Sequence, residues 1–184
     1  MKGRKKLYLI RHGQTSYNEK HLAQGWSDIP LSDLGRQQAQ EVVIAMKDKH
    51  IDAIFASDLK RAQETALPLS KFFGLPIYST WLLRERCFGD YEGKPSDKMD
   101  WDFLNTNCQQ VQACRVESQS QVDERVKQFV ADLQFFPQPL SEIAVVTHSG
   151  TMNHFCNCFE VPKSEFCHFG NTQVYELEVS VKCG

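Results

Sequence analysis

The chain has 184 residues, of which 41% are hydrophobic and 24% charged, values typical of a globular domain rather than of a disordered or fibrous chain. Its 21 basic and 23 acidic side chains leave a formal net charge of −2, so the broad basic surface of most nucleic-acid-binding proteins is excluded. We predict a single domain over residues 1–184 that has no nucleic-acid partner.

The basic start of the chain is followed by an apolar run of only four residues, 7–10, before Arg11. A secretion signal needs about 7–15 apolar residues and a membrane helix about 20, so neither is expected here. We therefore expect a cytoplasmic protein without a membrane partner. In that compartment the seven cysteines, an odd number, favour free thiols over a disulfide framework.

The hydrophobic pattern predicts strands that alternate with helices. Five runs have the length and composition of strands: residues 5–10, 51–56, 77–78, 143–147 and 174–179. Four stretches carry apolar residues at helical spacing: about residues 32–46, 57–73, 122–136 and 149–159. This alternation predicts an α/β fold with a mostly parallel sheet and helices on both faces.

Two of these strands and one polar segment have distinct patterns. Residues 143–147 are apolar on both faces, as in a central parallel strand, whereas residues 174–179 alternate, as in a half-buried strand near an edge. Residues 94–120 are polar and weakly periodic, and we interpret them as a small helical insertion rather than a separate domain.

Arginine and histidine side chains follow three of the predicted strands. Arg11 and His12 come directly after the first strand. Arg61 lies in the first turn of the helix after the second strand, and His148 follows the fourth. Because the carboxyl ends of parallel strands meet at one edge of a sheet, we expect all four together. Two guanidinium forks with an imidazolium would offset a phosphate dianion, and the remaining neutral histidine could attack phosphorus.

Two further groups complete this hypothesis. The residues that open the helices after two of these strands, Ser57-Asp58 and Ser149-Gly150, could supply backbone N–H donors to an anion. Protonation of the leaving oxygen needs a general acid, and the irregular stretch 80–95 offers three carboxyl groups. The residues themselves leave the choice open among Glu85, Asp90 and Glu92.

One group of potential metal ligands lies near the end of the chain. It consists of His154, Cys156, Cys158, Cys167 and His168. His154 and Cys158 are four residues apart and would share a helix face. The sequence has no CxxC pair, and the spacing fits no common zinc pattern. We predict no metal and no other cofactor.

Four blocks, in order, resemble the histidine phosphatase superfamily, the phosphoglycerate mutase-like proteins. They are residues 9–18 (LIRHGQTSYN), 57–65 (SDLKRAQET), 83–93 (LRERCFGDYEG) and 147–150 (THSG). The third block closely resembles that of small phosphatases, including the α-ribazole phosphatases. The fold that the resemblance implies is a three-layer α/β/α sandwich with a mostly parallel central sheet and an antiparallel edge strand.

The resemblance also implies roles for individual residues. His12 would be the nucleophile that becomes phosphohistidine, and Glu85 the general acid and then the base for water. The phosphoryl oxygens would be held by Arg11, Arg61 and His148, assisted by Asn18 and the backbone N–H of Ser149. The segment Gln24-Gly25 would line the substrate side of the pocket. The last block reads His-Ser-Gly where His-Gly-Gly is expected, which should have a modest effect because the backbone N–H of Ser149 remains.

These features lead to one main functional hypothesis and two alternatives. The main one is a metal-independent phosphomonoesterase that acts on a small phosphorylated metabolite, such as α-ribazole phosphate or a sugar phosphate, as a monomer or homodimer. A phosphoglycerate mutase is the first alternative, but it must exclude water, and the chain is short for such a shield. The second alternative is a phosphoprotein phosphatase or a regulatory phosphate-binding module.

Overall fold

The chain folds around a central sheet in a computed structural model that describes residues 2–106, 109–161 and 169–182. Within these residues the sheet has five strands: β1 (Lys2–Arg11), β2 (Ala53–Ser57), β3 (Ile77–Thr80), β4 (Glu142–Thr147) and β5 (Val174–Lys182). Their order across the sheet is β3-β2-β4-β1-β5. Of these five strands only β5 runs antiparallel to its neighbour, and it pairs with β1 at the edge. The predicted mostly parallel sheet with an antiparallel edge strand is confirmed.

Helices cover both faces of this sheet, because successive side chains of a strand point to opposite sides. Leu7 and Leu9 of β1 pack with the helices at Gln119–Asp132 and Ser149–Cys158, whereas Tyr8 and Ile10 pack with those at Asp33–Met46 and Lys60–Phe73. The predicted three-layer α/β/α arrangement is therefore present. In chain order the helices are α1 (Ser16–Glu19), α2 (Asp33–Met46), α3 (Lys60–Phe73), α4 (Trp101–Leu104), α5 (Gln109–Ala113), α6 (Gln119–Asp132) and α7 (Ser149–Cys158).

The ends of the long helices follow from local chemistry. Ser32 caps α2 as predicted, because its side chain accepts a hydrogen bond from the backbone N–H of Gly35. Gly74 ends α3 in the left-handed region, at φ 67°. The start of α3 differs from the prediction: Ser57 is still the last residue of β2, and the helix begins only at Lys60.

Residues 94–120 form short helices rather than one long element. A single 3-10 turn, Ser96–Lys98, precedes α4 and α5. These helices share a small apolar cluster separate from the two large ones, and it includes Ala23, Leu104 and Val111. No helix among the described residues is both long and apolar enough to cross a membrane.

Candidate active site

The carboxyl ends of β1 and β4 bring the two candidate histidines together. These strands pair in parallel, and Arg11 lies opposite Thr147. His12 and His148 therefore follow adjacent strand ends, and their ring centroids are 5.1 Å apart. Both rings are almost completely buried, at 3% and 0% exposure. The predicted meeting of strand-end side chains thus occurs at this sheet edge.

The hydrogen bond of His12 defines which of its ring nitrogens carries the proton. Nδ1 lies 2.7 Å from the backbone oxygen of Gly13. Since a carbonyl oxygen only accepts, Nδ1 carries the hydrogen and the lone pair lies on Nε2. Burial, with Arg61 and Arg11 nearby, lowers the pKa of His12 well below its usual value. His12 is therefore neutral near pH 7 and nucleophilic at Nε2.

His148 has the opposite tautomer. Arg61 donates from Nε to His148 Nδ1 at 3.2 Å, and a guanidinium can only donate. The neutral ring of His148 therefore carries its hydrogen on Nε2, which is buried and has no hydrogen-bond partner among the described residues. Burial and the charge of Arg61 lower its pKa well below the usual value. His148 thus offers a neutral N–H donor, where the sequence analysis expected an imidazolium.

Arg61 is completely buried and links the site to the loop that precedes α2. Its two terminal nitrogens donate to the backbone oxygens of Ser27 and Gly25, each at 2.8 Å. Three of the five N–H groups of the guanidinium are thus used within the protein, and the other two have no hydrogen-bond partner among the described residues. Burial lowers the pKa of Arg61 to about 10, so the guanidinium stays charged near neutral pH.

The second guanidinium belongs to Arg11, which is 8% exposed. One terminal nitrogen donates to the backbone oxygen of Phe169. Its Nε, like Nε2 of His148, is buried without a partner among the described residues. Buried donors are normally hydrogen-bonded, so two free donors at one sheet edge indicate a binding site for an anion.

Glu85 lies at the N-terminus of α7, beside these donors. Its Oε2 accepts from the backbone N–H of Gly150 at 3.1 Å, and its Oε1 from that of Arg86 at 2.9 Å. This approach requires a glycine at position 150, since a Cβ there would lie 2.4 Å from Glu85 Oε1. The carboxyl group is therefore held at the end of the helix that His148 precedes.

The other two candidate acids have different contacts. Asp90 forms an exposed ion pair with Arg115. Glu92 accepts hydrogen bonds from the backbone N–H of Trp26 at 2.8 Å and from the hydroxyl of Ser27 at 2.6 Å. Glu92 thus fixes the loop that Arg61 also binds, and of the three carboxyl groups Glu85 is the one at the α7 N-terminus.

The remaining predicted phosphate ligands lie in the loop after β1 or at the start of α7. Asn18 closes a capping box with Thr15, and its amide oxygen accepts from the Thr15 N–H at 3.1 Å. Gln24 is buried, and its amide oxygen accepts from the Thr15 hydroxyl. Gly25 provides a carbonyl to Arg61, and Ser149 is the first residue of α7. Their contact with a substrate stays a prediction.

Three residues that support this site were not predicted as site residues. Thr65 accepts from the backbone N–H of Gly13 at 3.0 Å and so positions the turn after His12. Asn171 donates to the backbone oxygen of His12 at 3.0 Å. Gly35 lets the first turn of α2 approach this loop, since a Cβ there would meet the backbone oxygen of Gln14 at 2.0 Å. In the sequence, Gly35 is marked as a glycine inside a helical pattern and Thr65 as the last residue of the block 57–65, whereas Asn171 has no such mark.

The candidate metal-ligand cluster is only partly described. His154 and Cys158 do share a face of α7, and both contact the carboxylate of Asp123 on α6, at 2.7 and 3.3 Å. Cys167 and His168 lie outside the described residues. Within the described ranges no group of three histidine, cysteine or carboxylate side chains has a geometry that could hold a metal ion. The absence of a metal cofactor stays a prediction.

The fold and the site together define an α/β protein with a candidate anion site at the sheet edge, built from arginine and histidine side chains. The chain belongs to the histidine phosphatase superfamily (branch 1), since the model of that family matches residues 7–183. The resemblance inferred from the four sequence blocks is thereby confirmed.

The curated relatives differ in how much of the chain they match. A protein of Hydrogenobacter thermophilus named "Putative phosphoserine phosphatase 2" is 35% identical over 155 residues, which cover 81% of this chain and 75% of that protein. Seven further curated relatives align over shorter stretches that cover between 38% and 52% of their own length.

Two solved structures share the fold. The mycobacterial glucosyl-3-phosphoglycerate phosphatase superposes with a TM-score of 0.76 at 28% identity, over 95% of this chain and 90% of that one. A structure described as "a putative alpha-ribazole-5'-P phosphatase from Escherichia coli" gives a TM-score of 0.72 at 26% identity, over 97% and 91%. This second likeness agrees with the resemblance to α-ribazole phosphatases found in the sequence.

Proposed function

We propose that this member of the histidine phosphatase superfamily hydrolyses a small phosphomonoester through a phosphohistidine at His12. One observation carries the proposal: the two neighbouring histidines have opposite tautomers. Nε2 of His12 bears a lone pair, whereas Nε2 of His148 bears a hydrogen without a partner among the described residues. A nucleophile next to a free donor suits attack on phosphorus with stabilisation of a phosphoryl oxygen.

In the first step the Nε2 lone pair of His12 forms a bond to phosphorus as the bond from phosphorus to the leaving oxygen breaks. The charge on the phosphoryl oxygens is balanced by the guanidinium groups of Arg11 and Arg61, while His148 donates a neutral hydrogen bond. Glu85, in its protonated form, gives its proton to the leaving oxygen, and the alcohol departs.

In the second step water attacks the phosphohistidine from the side that the alcohol has left. The Glu85 carboxylate takes a proton from this water as the new bond to phosphorus forms and the bond to Nε2 breaks. His12 regains its lone pair, Glu85 regains its proton, and inorganic phosphate is released. Neither step requires a group beyond these side chains, which supports a metal-independent reaction.

The proposed substrate class rests on the names of the relatives. The names of the relatives reported above refer to phosphoserine, glucosyl-3-phosphoglycerate and α-ribazole-5'-P, all small phosphomonoesters. A small metabolite of this kind is the proposed substrate. Initial rates against sugar phosphates, nucleotides, phosphoserine, phosphoglycerates and α-ribazole phosphate would identify the preferred one.

The central experiment is hydrolysis of p-nitrophenyl phosphate in the presence of EDTA. We expect activity from the native chain, with nitrophenol and inorganic phosphate as products. His12→Asn is the matched variant, because its amide can still donate to the Gly13 carbonyl but it has no nucleophilic nitrogen. Equal rates for the two proteins would contradict the proposal. Conversion of 3-phosphoglycerate to 2-phosphoglycerate without phosphate release would instead support a mutase.

A further inference from the structure

The backbone oxygen of Glu85 accepts two hydrogen bonds from side chains that come from distant parts of the chain. The indole Nε1 of Trp26 donates to it at 2.8 Å, and a terminal nitrogen of Arg125 donates at 3.1 Å. Trp26 belongs to the loop before α2, whereas Arg125 lies on α6. The main chain of Glu85 is thus fixed between two separate elements of the fold.

The donor on α6 is itself firmly held. The side chains of Arg125 and Glu117 are 3% and 10% exposed and form an ion pair through two nitrogen–oxygen contacts, at 2.8 and 3.1 Å. Arg125 also donates to the backbone oxygen of Leu82 at 2.9 Å, and Glu117 accepts from the backbone N–H of Cys87 at 3.1 Å. The segment around Glu85 is therefore anchored on both sides of that residue.

The donor on the other side connects Glu85 to the phosphate-holding arginine. Gly25 and Ser27, the neighbours of Trp26, provide the two carbonyl groups that Arg61 binds. The indole ring also lies 4.9 Å from the guanidinium of Arg84. Arg61 contacts Gly25 and Ser27, and the Glu85 carbonyl contacts Trp26, which lies between them in the chain. A shift of this loop would therefore move the acid relative to the phosphate.

We propose that Trp26 and Arg125 are positioning residues that hold the carboxyl group of Glu85 where it can protonate the leaving oxygen. This inference rests on the proposed function, in which Glu85 gives its proton as the bond from phosphorus to that oxygen breaks. The backbone N–H of Gly150 binds the Glu85 carboxyl at the start of α7. The position of the Glu85 backbone then decides whether this carboxyl reaches the substrate. General acid catalysis contributes about 10²–10⁴-fold, and a displaced acid loses part of that factor.

Trp26→Phe tests the proposal, because it keeps an aromatic ring near Arg84 and removes the indole N–H that donates to the Glu85 carbonyl. Trp81→Phe is the matched control: Trp81 lines the same cavity of about 850 Å³ and, among the described contacts, makes none with Glu85. Both tryptophans are partly exposed, at 36% and 53%, so both variants should fold. Circular dichroism would verify this before any rates are compared.

The readout is the dependence of kcat/KM on the leaving group. A nitrophenolate leaves without help from an acid, whereas an alkoxide needs a proton. For Trp26→Phe we expect kcat/KM toward β-glycerophosphate to fall about tenfold, and that toward 2,4-dinitrophenyl phosphate to change less than twofold. The Trp81→Phe control should match the native enzyme with both substrates.

Two results would overturn the positioning role. One is an equal loss with both substrates, which would indicate damage to phosphate binding through Arg61. The other is unchanged kinetics with both. If Trp26→Phe does not fold, Arg125→Lys gives the same test, since lysine keeps the charge next to Glu117 but lacks the fork that reaches Glu85 and Leu82. A native chain inactive toward both esters would instead contradict the proposed function.

Discussion

Arg61 and His148 are joined by one hydrogen bond, from the guanidinium Nε to the imidazole Nδ1 at 3.2 Å. This bond places the remaining imidazole hydrogen on Nε2, the atom that lacks a partner among the described residues. A buried arginine thus acts on the phosphate site twice, by its own charge and by the tautomer of the histidine beside it.

The first prediction concerns the Nε2–H donor of His148. In His148→Asn the amide lies near the position of Nδ1, so no donor remains at the position of Nε2. In His148→Gln the longer side chain brings its amide close to Nε2. We expect kcat to fall about 10²–10³-fold in the asparagine variant and clearly less in the glutamine variant, with steady-state hydrolysis of p-nitrophenyl phosphate as the measurement. Equal losses in both variants would argue against a donor role.

The second prediction assigns the general acid. Glu85→Gln keeps the size of the side chain but cannot give a proton, so kcat/KM for alkyl phosphates should fall by about 10²–10⁴-fold. Asp90→Asn is the control, because Asp90 is partly exposed and paired with Arg115. That variant should retain near-native rates. A larger loss in Asp90→Asn than in Glu85→Gln would reverse the assignment.

The third prediction uses the close approach of Gly150 to Glu85. An alanine methyl group at position 150 would lie 2.4 Å from Oε1 and must displace the carboxyl. At Gly170 the nearest atom to such a methyl group is 3.8 Å away, which is an ordinary contact. We expect Gly150→Ala to slow hydrolysis of β-glycerophosphate about tenfold or more, as a fraction of the general-acid factor, and Gly170→Ala to leave it unchanged. Thermal unfolding of both variants would show whether the folds are intact.

The fourth prediction concerns stability against pH. Burial lowers the folded-state pKa values of His12 and His148 well below 6.5, the value in the unfolded chain. Above pH 6.5 both states are neutral at these residues, and the contribution is fully present. Below pH 6.5 the unfolded chain takes up protons first, so the free energy of unfolding falls by up to about 1.4 kcal/mol per pH unit for each histidine.

Urea unfolding between pH 7 and pH 5 would measure this slope. The His12→Asn variant lacks one of the two groups, so its stability should decline less steeply over the same range. The carboxyl groups that also titrate in this range are the same in both proteins, so their contribution cancels in the comparison. Parallel slopes for the two proteins would contradict the predicted burial of a neutral His12.

Much of this architecture could be predicted from the sequence, because strands and helices leave local hydrophobic patterns along the chain. Residues 143–147 are apolar on both faces, which predicted a central parallel strand, and this strand is β4. Arg11, His12, Arg61 and His148 were predicted to meet because strand ends of a parallel sheet share an edge. The start of α3 was placed three residues too early, because Ser57 extends β2 by pairing with Thr80 instead of opening the helix.

The sequence by itself determined the order of the elements, the sheet edge that carries the site and the family to which the chain belongs. Only the tertiary structure decided which atoms of these residues are free to react. The reason is distance along the chain: Arg61 is 87 residues from His148, Glu85 is 65 from Gly150, and Trp26 is 59 from Glu85. Hydrophobic periodicity extends over a few turns and cannot specify such partners, so tautomers and the placement of the acid arise only when the sheet and its helices have packed.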